Sequence, residues 1–417
     1  MDARQERGLQ IARQSKIVKT PVGWKVPSQS GIGSYVVTLD GKSFCTCPDF
    51  EKRGLPCKHI HAVEYILQRE ERPDGTTVIT KAIRVTYTQD WPAYNAAQTH
   101  EQERFVLLLK DLCAGIEQPP QTMGRRRLPL ADVVFGLVLK SYTTMSGRRA
   151  TCQLKDAQEN GLIDKAAHYN SGFRYLENPE LTPLLKALIE QSASPLKAIE
   201  TDFAVDSSGF STTTYDRWFD HKWGKVRSEA KWVKAHLMCG VKTHVVTSVE
   251  VTPTETADAP QLPPLVNKTA ETFNINEVSA DKAYSSRKNL RSVQAVNGIP
   301  YIPFKSYSKG SQGSKPFDAL WQRMWYYYNY NRQVFLEHYN KRSNIETAYS
   351  MIKAKFGAMV RSKTPTAQVN EVLCKVLCHN LCVLVNSIFE LGLEPTFWGE
   401  MEARTEVEPR LLEKVGF

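Results

Sequence analysis

From residue 200 onward the chain alternates apolar runs of strand length with stretches of helical spacing, and that order admits few architectures. "DFAVDSSGF" reads as a strand ending in a turn. "KWVKAHLMCGVKTHVVTSVEVTP" reads as two strands around Gly240. "DAPQLPPLVNKTAETF" reads as a helix after its proline-rich start, and "NEVSADKAY" as a strand. "SRKNLRSVQAVNG" is a helix with Gly298 after it, and "IPYIPFK" a strand. A long helical region, 317–356, and a last helix near 368–391 follow. The order βββαβαβα with acids at strand ends predicts an α/β layer architecture.

The acids are informative by position. Asp206 sits where the first strand runs into "SSGF", and Asp202, Ala204 and Asp206 share one strand face. Asp281 ends the strand "EVSA". Side chains at the carboxyl ends of strands meet in the crevice of an α/β sheet. In "HYNKRSNIETAYSMIKAKFG", residues 338–357, Tyr339, Arg342, Glu346 and Lys353 fall on one helix face, within roughly 40° of Glu346. No Gly or Pro precedes Gly357, which predicts one helix. Glu346 would enter the crevice from this side. An Arg342–Glu346 surface pair is the bland reading, worth a few tenths of a kcal/mol. Three carboxylates without a local His cluster suit Mg²⁺ or Mn²⁺. Two such ions about 4 Å apart can drive in-line phosphoryl transfer.

"AVDSSGF", "SADKAY" and "YNKRSNIETAYSMIKAKFG" together resemble DDE transposases of bacterial insertion sequences, the last segment matching their Tyr-Arg-Glu-Lys signature without a gap. The resemblance spans roughly 125–390. It implies an RNase H-like core with Asp206, Asp281 and Glu346 as the metal-binding triad, and cutting of transposon ends followed by attack of the 3′-OH on target DNA. Arg342 and Lys353 would then contact the phosphate backbone, positioning DNA without reading it. Tyr339 would bond a phosphate or support the helix. Lys305 and Lys282 are further phosphate candidates, each more often a solvated lysine. Only 64 residues lie between Asp281 and Glu346, so no large β-rich insertion is expected there. A homodimer or larger synaptic complex on double-stranded DNA is implied by resemblance alone.

A second metal pattern stands near the start. Cys45, Cys47, Cys57 and His59 give C-x-C, nine residues, C-x-H, which suits one tetrahedral Zn²⁺; His61 is the runner-up ligand. Pro48 and Gly54-Leu55-Pro56 turn the chain between the two pairs. The strands "SYVVTL" and "SFCTC", joined at Asp40-Gly41, precede it, and the helix "HAVEYILQREE" follows. The pattern resembles SWIM-type zinc fingers and predicts a small ββα unit. Lys42, Lys52, Arg53 and Lys58 favour DNA slightly as its partner.

Between these regions, "YTQDWPAYNAAQ" (87–98) reads as a linker. "EQERFVLLLKDLC", "LADVVFGLVLKSYTTM", "RRATCQLKDAQEN" and "PELTPLLKALIEQS" read as helices. With "GRRRL" (124–128) and "SGRRAT" (146–151) they can form a DNA-reading module or a helical linker with solvated arginines. The expected division is therefore 1–86 zinc finger, 87–125 linker and helix, 126–198 helical DNA-binding region, 199–392 catalytic core and 393–417 tail. Lys plus Arg is 54 against 44 for Asp plus Glu, a formal charge of +10 that suits a polyanion. Nine cysteines argue for thiols or metal in a reducing compartment.

No apolar run is expected to span a membrane, the best candidate (372–389) being broken by Lys375, His379, Asn380 and Asn386. "MDARQERGLQ" lacks the apolar core of a signal peptide, so a cytoplasmic, nucleoid-associated protein is expected. Three features read as structural: six aromatics in "WQRMWYYYNYNR" (321–332) as core, Cys374, Cys378 and Cys382 as buried side chains, and Asp220-His221 as a surface turn. A non-catalytic zinc-finger DNA-binding protein of the same ancestry is the alternative function, and a nuclease that cuts without joining a third.

Overall fold

The computed structural model describes residues 3–398 apart from 16, 21, 30–32, 40–42, 72–76, 82–89, 122, 125, 213–231 and 311–317. The Asp40-Gly41 turn, Lys42, Arg125, Asp220-His221 and all but the start of the expected tail fall outside the described residues. The chain divides into two units, Met1–Gln89 and Asp90–Phe417.

The first unit is larger than the expected ββα. Helix α1 (Ala3–Gln14) precedes a four-stranded antiparallel sheet of β1 (Val18–Thr20), β2 (Gly23–Pro27), β3 (Ser34–Thr38) and β4 (Phe44–Cys45). Helix α2 (Pro48–Arg53) starts on Pro48 and ends at Gly54, whose φ of 65° is left-handed. Helix α3 (Lys58–Ile66) packs on α1, and Gly8 makes that approach possible: a Cβ there would lie 2.7 Å from His61 Cβ. Ile11, Trp24, Val26, Val37, Ile60 and Val63 form its core with Cys45, Cys47 and Cys57. The expected helix through "LQREE" stops at Ile66. Leu67–Glu71 is strand β5 instead, paired with β6 (Thr77–Lys81), whose β-branched "TVIT" supplies the ladder.

In the second unit the expected linker is largely helix α4 (Trp91–Thr99). Asp90 caps it, accepting from the Ala93 amide at 3.1 Å, and Pro92 sits in the first turn, so the segment that reads as a linker contains a helix start. Helices α5 (Glu101–Cys113), α6 (Leu130–Thr143), α7 (Gly147–Glu159), α8 (Tyr169–Leu176) and α9 (Leu181–Ala193) follow. Gly161, at φ 68°, closes α7 as its position suggests. Helix α8 had no counterpart in the sequence reading.

The sheet is β7 (Asp202–Ser211), β8 (Trp232–Gly240), β9 (Val246–Pro253), β10 (Glu277–Ala280) and β11 (Ile299–Tyr301), in the order β11-β10-β7-β8-β9. The first three strands form an antiparallel meander, and β10 and β11 run parallel to β7. Helices α10 (Leu262–Ala270) and α11 (Arg287–Ala295) make the crossovers. This is the RNase H-like α/β core. Among the described residues between Asp281 and Glu346, β11 is the only strand, so no β-rich insertion is present there. Helices α12 (Ala319–Tyr330), α13 (Arg332–Tyr339), α14 (Ser343–Phe356) and α15 (Pro365–Leu391) complete the unit.

Helix α15 is longer and more apolar than the broken run 372–389 suggests. By length and composition it could cross a membrane, yet 83% of its apolar window is buried inside the protein. Its polar residues are bonded within the core. Asn380 accepts from the Val246 amide at 2.9 Å and donates to Val246 O at 2.7 Å, joining α15 to β9. Cys374, Cys378 and Cys382 are buried, as expected, and burial pushes the Cys374 and Cys382 thiols up to about 12.

His379 bonds the His244 carbonyl through Nε2 at 2.8 Å, and burial pushes its pKa down to about 4. An unfolded imidazole titrates near 6.5, so between these values the unfolded chain binds a proton that the folded chain refuses. The site's contribution is complete above about pH 6.5 and falls by about 3 kcal/mol toward pH 4. Melting temperatures between pH 7.5 and 4.5 should therefore fall more steeply for wild type than for His379→Gln. Parallel curves would refute the assignment.

Candidate functional site

Backbone pairing sets the first two acids. β7 and β10 pair in parallel with Glu277 opposite Asp202 and Ala280 opposite Val205, so Asp281 follows level with Asp206. Neighbouring strands lie about 4.8 Å apart. Asp281 leaves β10 as the cap of a short 3-10 turn, its Oδ1 accepting from the Lys282 amide at 2.6 Å. Asp206, however, is not at a strand end. β7 runs on through "SSGF" to Ser211 because β8 pairs with its whole length, and Gly209 leaves room for the Trp232 ring, whose Cδ1 would lie 3.0 Å from a Cβ there.

The third acid arrives on a helix that is not continuous. A 3-10 turn, Asn340–Arg342, separates α13 from α14. Glu346 lies in the first turn of α14, where a helix N-terminus favours a carboxylate. Lys341 anchors the turn, donating to Asp202 Oδ2 at 2.7 Å and Glu277 Oε2 at 2.8 Å. His338 pairs with Glu277 at 2.8 Å and stacks on Tyr301 at 4.4 Å.

Arg342 joins two of the acids. Its Nη1 donates to Asp206 Oδ2 at 2.8 Å and its Nη2 to Glu346 Oε1 at 2.6 Å. Asp206 Oδ1 accepts from the Ser207 amide at 2.8 Å. Burial raises the Asp206 pKa, and the charges of Asp281 and Glu346 raise it further, against the Ser207 amide and Arg342. The three carboxylates thus share one electrostatic neighbourhood. Among the described residues they do not close into a tight ligand cluster, and the guanidinium bonds across Asp206 and Glu346.

Lys353, two turns along α14 from Glu346, bonds Ser208 Oγ at 2.6 Å and stands 5.3 Å from the Phe210 ring. Burial lowers its pKa. No carboxylate pairs with it among the described residues, so it is a partly desolvated, unpaired cation on the same helix as Glu346. Tyr339 packs against the core with the Arg342 guanidinium 5.9 Å from its ring. Lys305 follows β11 and is half-buried, and Lys282 is exposed beside Asp281.

Two contacts that position the candidate site have no counterpart in the sequence analysis. The Tyr349 hydroxyl lies 3.0 Å from the Asp206 carbonyl and 2.7 Å from the Ala235 carbonyl, tying α14 to the backbone of β7 and β8. The signal was present: Tyr349 lies in the buried stripe Ile345, Tyr349, Ile352, Phe356, where a phenol needs a partner. The Lys341 anchor depends on Glu277, far away in the chain, and had no local signal. The aromatic run is mixed rather than all core: Trp321 is buried, but Tyr326 and Tyr330 are exposed and stack at 5.7 Å.

In the first unit, Cys45, Cys47, Cys57 and His59 are buried, with ligand atoms all within 4.8 Å of one another. His59 Nδ1 lies 3.9 Å from the sulfurs of Cys45 and Cys57. Tetrahedral Zn²⁺ with bonds of about 2.3 Å to sulfur and about 2.0 Å to nitrogen separates such atoms by about 3.6 Å, so the donor set fits zinc. Hydrogen bonding from Cys45, above all, holds the Cys57 thiol down at about 3, while Cys45 and Cys47 are pushed up. His61 is turned away, bonding Glu64 at 2.9 Å, which removes it as the alternative ligand.

The family model described as "Transposase DDE domain" matches residues 197–381, and that described as "SWIM zinc finger" matches 35–68. No curated protein matches the chain. Among solved structures it is similar to "Cryo-EM structure of piggyBac transposase synaptic complex with hairpin DNA (SNHP)". There the identity is 11% and the TM-score 0.34, with 70% of this chain and 73% of that chain covered.

Proposed function

We propose that this chain, which carries a transposase DDE domain and a SWIM zinc finger, cuts the ends of an insertion sequence and joins the freed 3′-OH ends to target DNA. One arrangement carries the reading: two aspartates level on neighbouring parallel strands, and a glutamate linked to one of them through Arg342. Asp206, Asp281 and Glu346 offer the all-oxygen donors that Mg²⁺ or Mn²⁺ prefer. These three residues would hold the ions, whose chemistry when bound would be activation of an attacking oxygen and stabilisation of a leaving one.

The chain's own cations hold the DNA. Lys353, free of any acid among the described residues, takes a backbone phosphate beside the scissile bond, and Arg342 takes another. Tyr339 supports Arg342, and Lys305 extends the cationic rim. The net charge of +10 favours double-stranded DNA as the partner. We assign 1–86 to the zinc finger with one structural Zn²⁺, 87–125 to linker and helix, 126–198 to a helical DNA-binding region, 199–392 to the catalytic core and 393–417 to the tail. Holding two DNA ends together calls for a homodimer or larger complex, acting in the cytoplasm on the nucleoid.

The test is a duplex carrying the element's own end. Mg²⁺-dependent nicking at that end is expected, followed by joining of a precut 3′-OH end to target DNA. Binding without nicking would leave a non-catalytic DNA-binding protein, and nicking without joining a nuclease.

A further inference from the structure

We infer that Arg342 is a built-in counter-cation that shuts the acidic site until DNA arrives, so that metal loading is coupled to DNA engagement. The inference rests on the proposed metal role of Asp206, Asp281 and Glu346. Arg342 bonds Asp206 at 2.8 Å and Glu346 at 2.6 Å, occupying one carboxylate oxygen of each. Among the described residues it is the one side-chain cation bonded to either acid, since Lys353 is turned to Ser208 and Lys341 to Asp202 and Glu277.

The two bonds differ in character. The Glu346 side chain is 58% exposed, and that pair opens at little cost; Asp206 and Arg342 are 24% and 21% exposed, and their pair is the firmer one. The rest of the site is held still. Tyr349 fixes α14 to the Asp206 carbonyl, and Lys341 fixes the 3-10 turn to β7 and β10. Opening therefore requires only that the Arg342 side chain swing; its guanidinium stands 5.9 Å from the Tyr339 ring. A phosphate oxygen offers a guanidinium the same bidentate charge-assisted bonding that the acids give it. Once a phosphate holds Arg342, Asp206 and Glu346 are left without a bonded cation among the described residues, and the affinity of the three carboxylates for a divalent ion rises. By linkage, the metal then favours DNA by the same factor.

The test is Mn²⁺ binding to the full-length, zinc-loaded protein, followed through the paramagnetic resonance signal of free Mn²⁺, without DNA and with a short duplex. Arg342→Gln is expected to bind Mn²⁺ at least about tenfold tighter than wild type when DNA is absent, because a positive charge has left the site. The duplex is expected to tighten Mn²⁺ binding to wild type by at least about tenfold, and to Arg342→Gln much less. Arg342→Met, which keeps an unbranched side chain without the charge, gives the same comparison should the glutamine variant fold poorly. Glu346→Gln supplies the background. Glu346-dependent binding of equal or weaker affinity in the Arg342 variants overturns the gate alone. Binding that ignores Glu346 in every form removes the metal-site reading, and the gate with it.

Discussion

Glu346→Gln is expected to bind a transposon-end duplex within about twofold of wild type and to lose at least about 10³-fold in the rate of cleavage. The amide keeps the volume and one oxygen of the carboxylate but not the charge that would hold a divalent ion. Losing the several kcal/mol that such an ion contributes to the transition state gives that factor. DNA affinity should survive, since Lys353 and Arg342 are untouched. The substitution also weakens one of the two bonds of Arg342, the exposed one, leaving its Asp206 bond in place. Gel-shift binding beside single-turnover nicking separates the two effects. Nicking at the wild-type rate would remove Glu346 from the catalytic set.

Cys57→Ala is expected to lower zinc content from one ion per chain to none and to unfold the first unit while leaving the second intact. The core of the first unit is small, and Cys45, Cys47 and Cys57 are themselves part of it. Structural zinc contributes about 10–16 kcal/mol in small domains, more than such a core can replace. Hydrogen exchange should become fast across α1 to α3 and stay slow in β7, β8 and α15. Unchanged zinc content would refute the four-ligand assignment.

The acids and the metal-type cysteines were legible because each lies in a short segment with its own pattern. "SADKAY" places Asp281 by its apolar run, and C-x-C with C-x-H marks four candidate ligands, which the fold brings within 4.8 Å of one another. What was not legible depended on partners distant in sequence. The "SSGF" of β7 looks like a turn until β8 is laid along it, and Gly209 becomes intelligible only beside Trp232. "LQREE" looks helical in isolation but pairs with "TVITK". The break at Asn340–Arg342 carries no Gly or Pro; Lys341 is held there by Asp202 and Glu277 from two strands. Helix α8 is eight residues long, too short to stand out by periodicity.

The shared height of Asp206 and Asp281 comes from a hydrogen-bonded ladder, so it is counted in residues rather than tuned by side chains. Deleting or adding a single amino acid ahead of either aspartate would turn that carboxylate to the opposite face of the sheet. Chain length in these two short stretches should consequently be far less forgiving than chemical identity around them, and a library of one-residue gaps would find its deepest losses there.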